Sequence, residues 1–190
     1  MCFNFISGFS EKVKIKQGDR ILINGSSGGV GVFAVQIAKS IGAEVVAIAG
    51  EKNKQLVLSL GADYFYDYKL TSISDIEGKF DFIYDVASNL SYEQTKFLLN
   101  KKGVFITNTP YPIAALIPWL RNNKKIKKKT FAWVKPSGQD LSEISRMVSL
   151  NQISPVIDTV YSLEKIQEAH KHIEKGGVSG KLVVKINEYN

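Results

Sequence analysis

The most constraining feature of this chain is the run ILINGSSGGVG at residues 21–31. Apolar residues 21–23 and Asn24 have the character of a buried strand, and glycines follow at positions 25, 28, 29 and 31. A helical apolar pattern then occupies residues 32–39 without a break. A strand, a glycine-rich turn and a helix in direct succession indicate a dinucleotide-binding βαβ unit.

The chemistry of such a unit requires glycines in the turn. A side chain there would keep the backbone away from a pyrophosphate, or would hold the helix off the strand. The N-terminus of the helix offers N–H groups to the anion. The residues of this turn that we expect to contact a cofactor are Ser26, Ser27, Gly28, Gly29 and Val30.

Composition bounds the class of protein. The chain has 190 residues, of which 44% are hydrophobic, enough for one domain with a sizeable core. The single cysteine, Cys2, excludes an internal disulfide and a thiolate metal cluster, which fits a reducing compartment. The start of the chain lacks the basic region and cleavage site of a signal peptide, and no apolar run approaches the length of a membrane span. We therefore expect a cytoplasmic protein.

The net charge of +7 raises the question of a nucleic-acid partner, because much of the excess lies in residues 121–129. A phosphate-binding stripe is one interpretation and a solvated connector is the other. No recognition helix or aromatic platform accompanies the basic run, which favours the connector. We expect neither a nucleic acid nor a membrane as a partner.

Strand-like and helix-like segments alternate along the chain. Strands are predicted at 21–24, 44–49, 64–66, 80–86 and 104–107, with helices at 32–39, 54–60 and 91–99 between them. This rhythm predicts an α/β fold, a Rossmann-type doubly wound parallel sheet with helices on both faces.

The remaining segments belong to the same predicted domain, an NAD(P)-binding Rossmann domain over residues 1–190. Residues 1–10 are an irregular lead-in, and the proline-rich stretch 110–130 is an irregular lid or connector. A strand at 131–134, an amphipathic helix at 139–150, a strand at 156–161 and a helix at 163–175 follow. Residues 181–186 are predicted to close the sheet.

Two segments carry a family resemblance. Residues 14–50 (KIKQGDRILINGSSGGVGVFAVQIAKSIGAEVVAIAG), with LGADYFYDY at 60–68, resemble the medium-chain dehydrogenase/reductase superfamily, in its zinc-free, quinone oxidoreductase-like branch. The closing segment ISPVIDTVYSLEKIQEAHKHIEKGGVSGKLVVKI at 153–186 is similar to the end of the same family. The resemblance implies binding of NADP(H) and hydride transfer to a small carbonyl or quinone substrate, without zinc.

One part of the family pattern is missing. Members of this superfamily carry, ahead of the nucleotide domain, a GroES-like domain that forms most of the substrate cleft, whereas family-like sequence begins here at about residue 11. We therefore expect the chain to hold only the cofactor-binding half. It would be a truncated or split product, a domain expressed alone, or a chain that another subunit completes.

A short-chain dehydrogenase is the rival interpretation. Gly25, Gly29 and Gly31 also match that family's GxxxGxG pattern, and Tyr161 and Lys165 have its YxxxK spacing. That mechanism needs the tyrosine and the lysine one helical turn apart, so that the lysine lowers the pKa of the tyrosine. Tyr161 belongs to a predicted strand, so we expect it to be a strand-end residue.

Residues after the second strand bear on the choice between NADP and NAD. An NAD-type site carries an acidic residue about 20 positions beyond the glycines, and that position is occupied by Gly50. Lys52 is placed to pair with a 2′-phosphate, with Tyr68 and Lys69 as neighbours. Glu51 is the alternative, an NAD-type acid. The pattern favours NADP.

Further candidates lie where the fourth and fifth strands end. Ala87, Ser88 and Asn108 are predicted to line the nicotinamide side, although a helix cap at Ser88 and a turn at Asn108 are the alternatives. Lys181 matches the GK near the end of the family and is a further candidate. His170 and His172 fall on different faces of one helix, so no zinc site is expected.

Two functional hypotheses follow. The first is the cofactor domain of an NADPH-dependent oxidoreductase, either quinone or enone reductase-like or alcohol dehydrogenase-like. The second is a non-catalytic nucleotide-binding or assembly module, with a possible homodimer through an edge strand at 104–107 or 131–134. An exposed apolar face is predicted at 113–120 and at Phe3, Phe5 and Phe9.

Overall fold

Strand β1 (Arg20–Asn24), which precedes the glycine turn, lies inside a six-stranded sheet. A computed structural model of the chain describes residues 14–108, 129–131 and 137–186. The other described strands of this sheet are β2 (Glu44–Ala49), β3 (Tyr64–Asp67), β4 (Phe80–Asp85), β5 (Leu99–Thr107) and β6 (Lys129–Phe131). Neighbouring strands are parallel, in the order β3-β2-β1-β4-β5-β6. The order reverses between β1 and β4, and ligands of such sheets bind outside the carboxyl ends of the strands at this switch point.

The described helices pack on both faces of this sheet, except the last, which packs on the two-stranded sheet described below. They are α1 (Gly31–Ser40), α2 (Lys54–Ser59), α3 (Tyr92–Thr95), α4 (Gly138–Ser149) and α5 (Ile166–Lys175). In β1, Ile21 and Ile23 pack with α1 in one core cluster, whereas Leu22 packs in a second cluster with Tyr92. Strands buried on both faces are typical of parallel sheets. The predicted doubly wound α/β fold is confirmed.

Some element boundaries differ from the predictions. The helix predicted at 91–99 begins with a capping box, in which Ser91 and Gln94 satisfy each other's backbone N–H groups, and α3 then passes into a 3₁₀ turn, Lys96–Leu98. The strand β5 follows at once, five residues earlier than predicted. A 3₁₀ turn, Leu163–Lys165, likewise precedes α5.

The last two strands form a sheet of their own. Strands β7 (Ile157–Ser162) and β8 (Lys181–Lys185) pair in parallel, and α5 connects them. The prediction that residues 181–186 close the main sheet is therefore wrong. A strand that joins the main sheet and a strand that starts a second one have the same local pattern, so the choice depends on tertiary contacts.

Strand β5 is not an edge strand. It pairs with β4 on one side and, through residues Phe105 to Thr107, with β6 on the other. The prediction that 104–107 offers a free edge for a homodimer is therefore wrong. The second predicted edge, 131–134, lies outside the described residues beyond Phe131.

Helix α4 buries a narrower face than its pattern predicts. Its Met147 is buried and Ile144 packs against the core, but Leu141 and Val148 are exposed. Ser137 caps the start of the helix, because its hydroxyl accepts a hydrogen bond from the N–H of Asp140 at 3.2 Å.

Several predictions fall outside the described residues. They concern the lead-in 1–10 with Phe3, Phe5 and Phe9, most of the stretch 110–130, its apolar part 113–120 and the basic run up to residue 128. In the part of the chain that the structure describes, no helix has the length and apolar composition that crossing a membrane requires.

Candidate functional site

The carboxyl ends of β1, β2 and β4 surround a cleft of about 610 Å³ at the switch point of the sheet. The loop after β3, the end of β5 and the segment 177–178 ahead of β8 complete its walls. The cleft therefore lies where the topology of a doubly wound sheet places a ligand.

The turn after β1 is folded back against β2. Gly25 has a φ of +80°, and the N–H groups of Gly25 and Ser26 both donate to the carbonyl of Ile48, at 3.0 and 3.1 Å. The hydroxyl of Ser26 donates to the same carbonyl at 2.9 Å, and Ser26 is fully buried. Ser26 thus holds the turn against β2 and does not line the cleft, whereas Ser27 and Gly28 do.

The start of α1 packs directly on this turn. A Cβ atom built on Gly31 would overlap the carbonyl oxygen of Gly25 and lie 2.7 Å from backbone atoms of Ser26. Among the described residues no side chain caps α1, whose N-cap position is Val30, and its first turn has no acidic residue. The N–H groups of Val32 and Phe33 donate to the carbonyls of Gly28 and Val30, at 3.0 and 3.2 Å. The start of α1 beside the cleft therefore offers an anion the positive end of the helix dipole.

Where β2 ends, the cleft is lined by Gly50 and by an exposed tyrosine, Tyr68. Gly50 has no side chain, and a Cβ built there would lie 3.4 Å from the Tyr68 ring. Tyr68 is 61% exposed, and its N–H donates to the carbonyl of Ala49 at 3.2 Å. Gly50 and Tyr68 form a flat, open wall at this end.

Lys52 joins this wall to the segment ahead of β8. It lies in the 3₁₀ turn Glu51–Asn53, and its Nζ donates to the carbonyl of Gly177 at 2.6 Å. An ammonium group has three donors, so this bond leaves donors for an anion in the cleft. Neighbouring Glu51 also lines the cleft and lies 3.5 Å from the ammonium of Lys54.

A buried carboxylate lies at the end of β3. Asp67 is 8% exposed, lines the cleft and accepts a hydrogen bond from the N–H of Lys69 at 3.0 Å. Lys69 lines the cleft as well. Asp67 was not predicted, because a carboxylate that follows a short strand has no distinguishing sequence pattern.

A fully buried carboxylate also organises the loop after β4. Asp85 accepts hydrogen bonds from the Asn24 side-chain amide at 2.8 Å and from the N–H of Leu90 at 2.9 Å. The N–H of Val86 donates to the carbonyl of Asn24 at 3.0 Å, and Val86 lines the cleft. The start of this loop is thus bonded to Asn24 of β1 through the Asp85 carboxylate and through the N–H of Val86.

Ala87 and Ser88, predicted together, have different positions. Ala87 lines the cleft and lies against Gly25, where an added Cβ would be 3.0 Å from the Ala87 backbone nitrogen. Ser88 has a φ of +58°, is exposed and does not line the cleft. The helix α3 takes its cap from Ser91, so Ser88 is a loop residue.

The far end of the cleft contains Asn108. Its side-chain oxygen accepts a hydrogen bond from the hydroxyl of Tyr84 at 2.8 Å. Burial raises the pKa of Tyr84 well above its usual range, against the smaller lowering effect of its bond to Asn108. Tyr84 therefore stays a neutral donor at physiological pH and fixes the Asn108 amide.

The segment between α5 and β8 closes one side of the cleft. Gly177 and Val178 line it, and the N–H of Gly180 donates to the carbonyl of Ser27 at 2.9 Å. The N–H of Ser179 donates to Asp158 at 2.8 Å, and this bond is the main cause that holds the pKa of Asp158 below its usual range. The sequence analysis predicted no cofactor contact in this segment.

Lys181 lies beside the start of α1 without lining the cleft. A Cβ built on Gly29 would be 2.5 Å from the Lys181 ammonium, so this charge is next to the glycine turn. Its N–H donates to the carbonyl of Val156 at 3.0 Å.

The structure brings together every predicted cofactor residue except Ser26, Ser88 and Lys181. Those that line the cleft are Ser27, Gly28, Gly29, Val30, Gly50, Lys52, Tyr68, Ala87 and Asn108. Lining residues without a prediction are Asn53, Asp67, Val86, Gly177 and Val178. The cofactor contacts of the predicted residues that line the cleft remain predictions.

The tyrosine of the YxxxK spacing lies elsewhere. Tyr161 belongs to β7, and its hydroxyl is hydrogen-bonded to Nδ1 of His172 at 2.8 Å. Lys165 follows in a 3₁₀ turn, so the two residues do not share a helix, as the sequence predicted. His170 is exposed. Within residues 14–108, 129–131 and 137–186, no group of three or more His, Cys, Asp or Glu side chains could hold a metal ion.

Known proteins resemble this chain over most of its length. A family model described as zinc-binding dehydrogenase matches residues 60–184. The chloroplastic quinone-oxidoreductase QR1 of Triphysaria versicolor is 36% identical over 169 residues, which cover 86% of this chain and 51% of that protein. The mitochondrial NAD(P)H oxidoreductase RTN4IP1 of Danio rerio is 31% identical over 192 residues, covering 89% of this chain and 49% of that protein.

The solved structure of the quinone oxidoreductase from Coxiella burnetii matches with a TM-score of 0.84 at 24% identity, over 97% of this chain and 58% of that one. At this identity the match shows the fold alone. The chain spans about half the length of the curated relatives it matches. The family model covers more than half of this chain, and its match begins after the glycine turn, so it is independent of that motif. The chain belongs to the zinc-binding dehydrogenase family, in the medium-chain dehydrogenase/reductase superfamily that its sequence resembles.

Proposed function

We propose that this chain is the NADP(H)-binding half of a quinone or enone reductase-like oxidoreductase. The observation that carries the proposal is the cleft at the switch point, where a glycine turn and an uncapped helix face an open volume of about 610 Å³. A bound nicotinamide supplies a hydride at C4, and the protein supplies binding and orientation.

The pyrophosphate site consists of backbone. The Gly31 contact brings α1 against the turn, so that the start of the helix lies beside Gly28 and Gly29, which line the cleft. The Lys181 ammonium beside Gly29 adds a positive charge there. Both features favour a dianionic linker over a neutral ligand.

The ribose end supports NADP over NAD. Gly50 leaves room where an NAD-type site carries an acid, and the ammonium of Lys52 retains donors for a 2′-phosphate. Tyr68 offers its exposed ring to the adenine side. Glu51 also lines the cleft and is the NAD-type alternative; its carboxylate lies 3.5 Å from the ammonium of Lys54.

The opposite end suits a nicotinamide. Val86 and Ala87 supply apolar contacts, and the Asn108 side chain, fixed by Tyr84, supplies a polar one. The family is described by zinc binding, but the described residues offer no set of ligands that fits a zinc ion. The absence of zinc stays a prediction.

A second function is a nucleotide-binding or assembly module without turnover of its own. Binding of a nucleotide in the cleft does not require turnover, and the chain spans about half the length of its curated relatives. For the first function we propose a small carbonyl or quinone substrate. We also propose a homodimer at the outermost described strand β6 and a cytoplasmic location.

Fluorescence titration of the purified chain with NADPH and NADH tests the proposal. We expect both to bind, NADPH more tightly, and we expect NADPH oxidation with some member of a quinone panel. Binding without turnover would favour the module. Failure of both nucleotides to bind would contradict both functions.

The 2′-phosphate assignment has its own test in Lys52→Ala. We expect the affinity for NADPH to fall about tenfold relative to that for NADH, the size of one hydrogen bond to a charged group. The ratio of the two affinities is the readout, because loss of the Gly177 bond affects both nucleotides alike. Lys96→Ala, an exposed lysine paired with Glu93, removes the same charge as a control. Equal losses for both nucleotides would contradict the assignment.

A further inference from the structure

The side-chain amide of Asn53 connects two walls of the cleft. Its Nδ2 donates to the hydroxyl oxygen of Ser27 at 3.0 Å, and its Oδ1 accepts a hydrogen bond from the hydroxyl of Ser179 at 2.6 Å. Asn53 is only 8% exposed and lines the cleft itself. The glycine turn, the 3₁₀ turn after β2 and the segment ahead of β8 thus meet at one amide.

The two distances fit the orientation in which the amide oxygen of Asn53 faces Ser179 and its nitrogen faces Ser27. Hydrogen bonds between two oxygens are typically about 2.7–2.8 Å long, and those from nitrogen to oxygen about 2.9–3.0 Å. The shorter bond to Ser179 therefore belongs to Oδ1, and the longer one to Ser27 belongs to Nδ2. Rotating the amide by 180° would put the 3.0 Å distance between the Asn53 oxygen and the Ser27 hydroxyl, and the 2.6 Å distance between the Asn53 nitrogen and the Ser179 hydroxyl.

This orientation has a consequence for Ser27. A hydroxyl has one proton to donate and two lone pairs to accept with. Because Asn53 occupies a lone pair of Ser27, the Ser27 proton is directed to another acceptor, and Ser27 lines the cleft next to Gly28. With an inverted amide, the same proton would be used on Asn53.

Two further hydrogen bonds, one between backbone groups and one from a side chain, join the same segments around Asn53. The N–H of Gly180 donates to the carbonyl of Ser27 at 2.9 Å, and the ammonium of the adjacent Lys52 donates to the carbonyl of Gly177 at 2.6 Å. These bonds join the glycine turn and the 3₁₀ turn to the segment ahead of β8, as the Asn53 amide does. The position of Ser27 relative to that segment therefore does not depend on the Asn53 side chain alone.

We propose that Asn53 is a positioning residue for the cofactor's phosphates: it orients the hydroxyl of Ser27 as a donor to the pyrophosphate and holds the Ser179 segment as the adjacent wall. The proposal rests on the proposed function and adds a residue that acts through another. Since the pyrophosphate is common to both nucleotides, Asn53 affects NADPH and NADH alike, in contrast to Lys52.

A double-mutant cycle in the full chain tests the proposal, with dissociation constants for NADPH and NADH as the readout. We expect Asn53→Ala and Ser27→Ala each to weaken both nucleotides about tenfold. We expect the double variant to be no more than about threefold weaker than either single one, because both changes remove the same interaction. Losses that multiply to about a hundredfold would overturn the proposal.

Gln36→Ala is the matched control for a merely structural role. Gln36 is equally buried, at 7% exposed, and its amide also connects two segments through bonds to the backbone of Ser154, at 2.8 and 3.0 Å. We expect this variant to lower the Tm while leaving both affinities within twofold. A loss of affinity equal to that of Asn53→Ala would overturn the proposal.

Asn53→Asp preserves the shape of the side chain and provides a second test if the alanine variant does not fold. Its carboxylate accepts hydrogen bonds from both serine hydroxyls, so the Ser27 hydroxyl donates to that carboxylate instead of into the cleft. We expect at least the loss seen with alanine, and wild-type affinity would overturn the proposal. If the wild-type chain binds neither nucleotide, the proposed function fails; if it binds both and the cycle is additive, only the role of Asn53 fails.

Discussion

The six-stranded sheet and the two-stranded sheet of this protein differ in how they are covered. In β1, Ile21, Leu22 and Ile23 are fully buried, since helices pack on both faces. In β7, Ile157 is 49% exposed and Val160 is 56% exposed among the described residues. Parallel strands normally have both faces covered, and two strands alone are marginal in water.

The hydrophobic core lies around the large sheet, whereas the walls of the cleft come from both sheets. The large sheet contains both core clusters, while the small sheet is joined to it through hydrogen bonds at Gly180 and Gln36. Yet the segment ahead of β8 supplies Gly177 and Val178 to the cleft. One wall of the site therefore depends on the less well covered part of the molecule.

Breaking the contact between the turn and α1 is expected to have the largest effect. Gly31→Ala places a Cβ on backbone atoms of Gly25 and Ser26, so the helix must shift. We expect a loss of about 3 kcal/mol in unfolding free energy by chemical denaturation, together with loss of nucleotide binding. Gly138→Ala is the control, because open space surrounds that position, and we expect it to be neutral or stabilising. Equal effects at both glycines would contradict the assigned packing.

Native-state hydrogen exchange compares the two sheets directly. We expect the amides of β7 and β8 to exchange at least about 100-fold faster than those of β1 and β4, a difference of about 2.7 kcal/mol in opening free energy. The physical reason is that side chains of the small sheet are exposed, so that less apolar burial opposes its opening. Equal protection in both sheets would show that they open as one unit.

Truncating one valine in each sheet sharpens the same comparison. Val46 in β2 is fully buried, so we expect Val46→Ala to cost about 2 kcal/mol of unfolding free energy. Val160→Ala in β7 makes the same chemical change at an exposed position, and we expect an effect within about 0.5 kcal/mol. Similar losses at the two sites would mean that β7 is covered in solution.

The smallest effect is expected at Tyr84. Tyr84→Phe removes the hydrogen bond to Asn108, so we expect a loss of about 1 kcal/mol in stability and a two- to threefold weaker affinity for NADPH, by titration.

The pH dependence of the same variant has a definite sign. Because burial raises the pKa of Tyr84 in the folded state, the unfolded chain releases this proton first, at about pH 10. The stability contributed by neutral Tyr84 is thus fully present below pH 10 and is lost as pH rises towards the folded pKa. We expect the unfolding free energy of the wild type to fall faster above pH 10 than that of Tyr84→Phe, by up to about 1.4 kcal/mol per pH unit. Parallel pH profiles would contradict the burial of the phenol.

Local patterns were sufficient to predict most of the large sheet and its glycine turn. Gly25, Gly28 and Gly29 could be recognised because strand, turn and helix are adjacent in sequence. Asp67 and Asn53 could not be recognised, because they lie at the ends of a short strand and of a 3₁₀ turn. Neither element has a sequence motif that indicates a ligand site. The partners of β8 and β5 were also unpredictable, because strand pairing over long distances leaves no local signal.

The sequence by itself determined the glycine turn, the alternation of strands and helices and the family, because each is carried by patterns of residues that are close together within a segment. Only the tertiary structure decided that Ser26 faces the strand rather than the cleft, that 181–185 pair with 157–162 in a second sheet, and that Asn53 joins Ser27 to Ser179. The physical reason is that a hydroxyl or an amide binds whichever partner the fold brings within about 3 Å. The distance along the chain does not record that partner.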